Sequence, residues 1–271
     1  MHCSDSTTPQ NFDPAAALRQ AQEQTVTCCT EYYESDGCVL AIDIYLPDPV
    51  QYPGQHPGIL FFFGGGFRIG SRKAFQLQAE ECAKEGIAAF CADYRIASVH
   101  GTTPRESIHD GACAWNFVRE NAASWQVDPA RIALSGGSAG GLIALMCGRL
   151  TGVQPAGLAL FNPAILDAEQ QDTPLAVLLG AVTEDVPIVD SVHPDWDAPP
   201  TLIQHGEEDE IVPLTSIQKY VSTCTAQGLD VTLKTYPGAG HGFFNVFRSR
   251  PHYHLTTGEL LLFLRKIFDT P

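Results

Sequence analysis

The 271-residue sequence predicts an α/β fold: a mostly parallel central sheet with helices on both faces, entered through an N-terminal antiparallel hairpin. Three observations carry that prediction. Short, continuously apolar runs at 59–63 and 87–92 read as strands buried on both faces. Amphipathic segments of helical period lie between them. Two β-rich runs, 25–34 and 38–46, flank Ser35-Asp36-Gly37, which reads as a hairpin turn.

After the hairpin and the strand at 59–63, residues 72–85 read as a helix with Ser71 placed to cap it. The strand at 87–92 precedes a helix with a clear start. Thr103-Pro104-Arg105-Glu106 supplies a capping threonine, a first-turn proline and a glutamate that can reach back. Ile108, Ala112, Trp115 and Val118 then recur on one stripe. A strand at 131–134 leads into a helix at 142–150, and strands follow at 156–161 and 201–204. Pro213 opens a helix with Ile217, Tyr220, Val221 and Cys224 on one face. A strand at 230–236 and a last helix at about 256–268, burying Leu260, Leu264, Ile267 and Phe268, complete the order. The whole chain, 1–271, reads as a single domain. One segment breaks the alternation: 167–199 is rich in Asp, Glu, Pro and Gln, with a short apolar piece at 175–182. It reads as a small lid-like insertion over the C-terminal edge of the sheet, where open α/β sheets bind ligands.

Composition narrows the partners. The 31 acidic and 16 basic residues leave a net charge of −15, which repels phosphate backbones and anionic lipid, so neither nucleic acid nor a membrane is expected as a partner. No stretch approaches the ~18 consecutive apolar residues of a membrane span. The polar start from Met1 to Asp13 lacks the pattern of a signal peptide, and the expected location is cytoplasmic. The nine cysteines are odd in number and form no C-x-x-C pair, which points to buried free thiols in a reducing compartment. His252 and His254 stand two apart with no supporting cysteine or carboxylate cluster, so no metal and no cofactor is expected. The oligomeric state stays open between a monomer and a homodimer.

The chemistry begins at Gly136-Gly137-Ser138-Ala139-Gly140, a G-x-S-x-G string. An apolar strand runs into it and an apolar helix leaves it. A serine on so sharp a turn takes a strained backbone, and small residues two before and two after avoid clashes. The helix N-terminus that follows favours developing negative charge. A serine needs a base. His241 lies in the Gly238–Phe244 loop after the last strand, with Gly240 and Gly242 beside it. The loop Glu207-Glu208-Asp209-Glu210, after the strand at 201–204, offers the carboxylate that would orient the imidazole. Asp209 is the choice and Glu208 its rival. Gly64-Gly65-Gly66, at the end of the strand at 59–63, lets backbone N–H groups approach a substrate oxygen. A nucleotide loop is disfavoured there, because Ile69 stands where G-x-G-x-x-G needs its third glycine. Ala139, directly after the serine, supplies another N–H.

With these motifs in this order, the chain resembles the α/β-hydrolase superfamily, and within it the small carboxylesterases related to the hormone-sensitive lipase and acetyl esterase groups. The likeness rests on Gly136 to Gly141, on His205-Gly206 through Asp209 to Val212-Pro213, on Gly240-His241-Gly242-Phe243 and on Asp93-Tyr94-Arg95, and it runs from about 38 to 268. It implies Ser138 as nucleophile, His241 as base, Asp209 as acid, and the amides of Gly65, Gly66 and Ala139 as the oxyanion hole. The implied activity is that of a serine carboxylesterase acting on short-chain or small acyl esters, with a small-molecule ester as its partner. A peptidase, a carbohydrate deacetylase or a non-catalytic ligand-binding protein on the same framework are the alternatives. Two positions depart from the pattern. Phe63 replaces a histidine before the glycine loop, which removes a polar anchor, and Gly137 replaces an aspartate before the nucleophile. Asp93, Arg95 and Asp110 read as an internal salt bridge rather than a second site. Phe67, Trp196, Phe243 and Phe244 read either as pocket lining or as packing. Ser98 and Ser135 sit at no such turn.

Overall fold

The computed structural model describes residues 28–35, 37–165 and 198–269. Its strands are β1 (Cys28–Ser35), β2 (Cys38–Tyr45), β3 (His56–Phe62), β4 (Ala88–Ala92), β5 (Val127–Gly137), β6 (Leu158–Phe161), β7 (Thr201–Gly206) and β8 (Val231–Tyr236). They form one sheet in the order β1-β2-β4-β3-β5-β6-β7-β8. The hairpin pairs antiparallel, β2 meets β4 antiparallel, and every later pairing is parallel. This is the architecture the sequence predicts.

Among the described residues the α-helices are α1 (Gln76–Lys84), α2 (Pro104–Asn121), α3 (Ala139–Thr151), α4 (Leu214–Ala226) and α5 (Arg250–Ile267), with a single helical turn at Ala97–His100. Strand alternation divides the core. Leu60 and Phe62 of β3 join one cluster, with Trp115 of α2, Leu142 of α3 and Ile217 of α4. Ile59 and Phe61 join the other, with Ala79 and Cys82 of α1 and Leu260 and Leu264 of α5. Each fully buried phenylalanine contributes about 1.5–3 kcal/mol relative to exposure. The helix α2 starts as its sequence directs: the Glu106 carboxylate accepts the Thr103 amide at 2.8 Å, and Ile108, Trp115 and Val118 are buried.

Three expectations are corrected. Ser71 does not cap a helix; residues Arg72–Phe75 form a 3₁₀ turn and α1 begins at Gln76. The Arg72 side chain here is engaged by Asp93 and, at 2.8 Å, by Asp43. The last helix starts at Arg250 rather than 256, because Ser249 caps it by accepting the His252 amide and Pro251 sits in its first turn. The cysteines divide: Cys82, Cys91, Cys147 and Cys224 are buried free thiols, but Cys28 and Cys29 are exposed on the edge strand. The insertion expected at 167–199, apart from its last two residues, the N-terminal segment from Met1 to Asp13, and Trp196 lie outside the described residues. Among the described residues, no helix is long and apolar enough to cross a membrane.

Candidate active site

The parallel strands deliver four loops to one edge of the sheet. At the end of β5 the chain turns through Ser138, with φ 53° and ψ −120°, straight into α3. Such backbone costs on the order of 1–3 kcal/mol and persists only where its surroundings hold it. Here the Ser138 amide donates to the Phe161 carbonyl at 3.0 Å, and the Ser138 carbonyl accepts from Gly141 and Ala164 at 3.0 and 2.9 Å. A Cβ on Gly136 would lie 2.3 Å from the Gly140 carbonyl oxygen, and one on Gly140 would lie 2.2 Å from that of Phe62. Glycine is therefore required on both sides of the turn. A Cβ on Gly137 would meet the Phe244 ring at 2.5 Å, so a larger residue there would require that ring to move. Phe244 stacks on Phe75 at 5.4 Å, and Phe75 stacks on Phe61 at 5.1 Å.

The loops after β7 and β8 reach the serine together. The Glu208 amide donates to the Ala239 carbonyl at 2.9 Å, which ties one loop to the other. His241 Nε2 lies 3.0 Å from Ser138 Oγ, and His241 Nδ1 lies 2.8 and 3.0 Å from the two Asp209 oxygens. With Nδ1–H donating to the carboxylate, Nε2 is the free acceptor facing the hydroxyl. Asp209 Oδ1 also accepts the Ile211 and Val212 amides, each at 2.9 Å. Burial alone would raise the Asp209 carboxyl, but the His241 hydrogen bond and the two amides outweigh it and hold it below the ordinary carboxylate value. Glu208, its rival in the sequence, is exposed.

The glycine loop flanks this line. Gly65 has φ 123°, and a Cβ on it would lie 1.9 Å from the Ile69 carbonyl oxygen. The Arg68 and Ile69 amides turn back to the Gly65 carbonyl at 3.1 and 3.2 Å, whereas the Gly65 and Gly66 amides meet no acceptor among the described residues. Ala139 opens α3, so its N–H is one of the helix's unpaired donors. The expectation of a missing anchor at Phe63 is corrected. Phe63 is buried and stacks on Tyr94, ring centroids 4.0 Å apart, and the Tyr94 hydroxyl donates to the Phe63 carbonyl at 2.7 Å. The Tyr94 ring and its hydroxyl together do the pinning.

Two residues to which the sequence analysis assigned no role stand behind the line. Asn162, at φ 34°, is wholly buried, and its Oδ1 accepts the Gly242 amide at 3.1 Å. Nothing in the sequence marks it beyond the tolerance of asparagine for positive φ. His205 is wholly buried, and its Nε2 lies 2.9 Å from the Val212 carbonyl, where it donates. Burial pushes its imidazole down, so it stays neutral. Its signal was the histidine at the strand end before the acidic loop.

The remaining candidates fall elsewhere. Arg95 grips Asp110 through two nitrogens at 2.7 and 2.8 Å, while Asp93 pairs with Arg72 instead. Ser135 Oγ donates to the Ala159 carbonyl at 2.6 Å, a structural bond. Phe67 and Phe243 are packing; Phe244 lines the site. A cavity of about 420 Å³ opens over the serine, bounded among others by Gly65, Ser138, Asn162, His241, Phe244 and Arg248. Among the described residues, no cluster of three or more His, Cys, Asp or Glu side chains is arranged to hold a metal ion.

Comparison with known proteins is consistent across the chain. The BD-FAE family model matches residues 42–164, and the prolyl oligopeptidase family model matches residues 183–268. An acetylxylan esterase from Xylanibacter ruminicola is 28% identical over 192 residues, covering 66% of this chain and 39% of its own length. Esterase LipC of Mycobacterium tuberculosis is 28% identical over 83% of this chain, which spans 64% of that protein. Carboxylesterase NlhH from the same species is 28% identical over 84% of this chain and 78% of its own. The chain thus spans from about two-fifths to about two-thirds of the first two of these relatives. Among solved structures, a thermophilic esterase from Thermogutta terrifontis is 30% identical and superposes with a TM-score of 0.78, covering 90% of this chain and 93% of that one.

Proposed function

Because the chain belongs to the α/β-hydrolase superfamily, among its esterases, we propose that it is a serine carboxylesterase hydrolysing short-chain or small acyl esters. One observation carries the proposal: the Ser138–His241–Asp209 line, at 3.0 and 2.8 Å, beside Gly65 and Gly66 amides that meet no acceptor among the described residues.

The geometry supports the following reaction. His241 Nε2 takes the Ser138 proton as Oγ attacks the ester carbonyl. Asp209 holds the imidazole in the tautomer that can accept, and stabilises it once charged. The amides of Gly65, Gly66 and Ala139 receive the oxyanion, each donor typically being worth about 2.7–4 kcal/mol in the transition state. The alcohol leaves with the proton carried by His241. Water then repeats the sequence on the acylated Ser138. The Phe244 ring against the elbow supports a small acyl site, and the Thermogutta esterase has been solved with propionate and with butyrate bound. The net charge of −15 supports a small ester, rather than nucleic acid or an anionic membrane, as the partner. The buried free thiols support a reducing compartment such as the cytoplasm.

A second reading, removal of acetyl groups from carbohydrate, is favoured by the acetylxylan esterase relative. A p-nitrophenyl ester series of increasing acyl length, run beside an acetylated xylo-oligosaccharide and a peptide anilide, separates these. Turnover highest on short p-nitrophenyl esters is expected, lost in Ser138→Ala. Equal rates for wild type and Ser138→Ala would end the reading.

A further inference from the structure

Arg248 is the one permanently charged side chain among the described residues that line the cavity, and no carboxylate among them shares that lining. This is unexpected in a chain with 31 acidic and 16 basic residues. Four other arginines are taken up by carboxylates: Arg72 pairs with Asp93, Arg95 with Asp110, Arg131 with Asp128 and Arg265 with Glu85. Arg248 pairs with no described carboxylate and is exposed at the cavity. Its backbone is fixed even so. The Arg248 and Ser249 amides donate to the Asn245 carbonyl at 2.9 and 3.0 Å, and Asn245 Oδ1 accepts the Phe247 amide at 3.1 Å. The turn therefore presents to the cavity over Ser138 a guanidinium that no carboxylate among the described residues pairs with.

We propose that Arg248 selects esters that carry a carboxylate, receiving that anion while Ser138 meets the ester carbonyl. This rests on the esterase reading and adds the substrate class. A guanidinium presents a planar fork of donors that matches a carboxylate with two parallel bonds. The oxyanion amides and the N-terminus of α3 add fixed partial positive charge on the same wall. An anionic ester is thus drawn to the cavity from a surface that otherwise repels it. An exposed pair is modest in strength, so the expected effect is about three- to tenfold, expressed mainly in KM.

The test compares matched esters in wild type, Arg248→Gln and Arg248→Lys. Methyl hemisuccinate is paired with methyl butyrate, which places the carboxylate on the acyl side. Carboxymethyl butyrate is paired with ethyl butyrate, which places it on the alcohol side. The readout is the anionic-to-neutral ratio of kcat/KM, compared between variants so that the intrinsic reactivity of each ester cancels. In at least one pair the ratio should fall about three- to tenfold in Arg248→Gln, recover in part in Arg248→Lys, and fall in wild type as salt is raised. The responding pair identifies which side of the ester Arg248 reads. An active Arg248→Gln enzyme with both ratios and their salt dependence unchanged overturns the assignment and leaves the esterase reading standing. No turnover of any of the four esters by wild type overturns both.

Discussion

Asn162 Oδ1 accepts the Gly242 amide at 3.1 Å, so the residue that follows β6 holds the loop that carries His241. It does so from φ 34°, in a wholly buried position beside the nucleophile turn. Asn162→Ala removes the acceptor and leaves a part-buried N–H without it, a loss of about 1 kcal/mol. We expect kcat to fall about tenfold with KM little changed. Asn162→Gly relieves the backbone and should recover folding stability but not rate. Steady-state kinetics beside urea melts check both. Full activity in Asn162→Ala removes Asn162 from the positioning of His241.

Asp209 sets the tautomer of His241. In a triad of this kind, the amide substitution keeps the shape and presents the wrong hydrogen, so Asp209→Asn should lower kcat by about 10⁴-fold. A loss under tenfold would show that another group orients the imidazole.

The same carboxylate predicts a pH dependence of stability. Its folded value lies below its ordinary 3.8. A depressed acid contributes stability that is fully present above the ordinary value and is lost as pH falls through the folded one. The melting-temperature advantage of wild type over Asp209→Asn should hold from pH 6 to about 5 and shrink as pH falls below about 4. An advantage that grows on acidification would give the shift the opposite sign.

Much of this site is legible in the sequence, and the reasons are local. Gly136 and Gly140 follow from the steric demand of a serine at φ 53°, which any reader of the string can anticipate. The loops of Asp209 and His241 follow from the order of strands, since the last two strands of a parallel sheet end at the same edge. The choice of Asp209 over Glu208 was less accessible. It depends on a turn in which one carboxylate receives the amides of residues two and three positions on, while its neighbour faces water. Phe63 misled for a related reason. The loss of a histidine reads as a lost anchor, and the replacement anchor, Tyr94, lies 31 residues away in sequence. Asn162 and Arg248 carry no pattern, because their roles come from what neighbouring loops bring to them.

Tyr94→Phe tests that replacement anchor. It strips the Phe63 carbonyl of its buried donor, at about 1 kcal/mol, while the ring stack remains. The expected outcome is a small loss of stability with a several-fold loss of kcat, as the glycine loop loosens. Stability lost with kcat unchanged would confine Tyr94 to packing.

Gly65→Ala probes the loop directly. Its Cβ would strike the Ile69 carbonyl oxygen, so the backbone must leave φ 123° and carry the amides away from the nucleophile. A fall of about 10²–10³ in kcat is expected, with the rate of Ser138 labelling by a small sulfonyl fluoride reduced in parallel.

The central claim is that Ser138 becomes acylated. Wild-type protein mixed rapidly with excess p-nitrophenyl butyrate, quenched in acid, digested and weighed by mass spectrometry should carry one butyryl group, on the peptide containing Ser138. The adduct should be absent from Ser138→Ala and persist longer in His241→Ala than in wild type once formed. A butyryl group found on another residue of an active enzyme, or brisk hydrolysis by Ser138→Ala, would contradict the account.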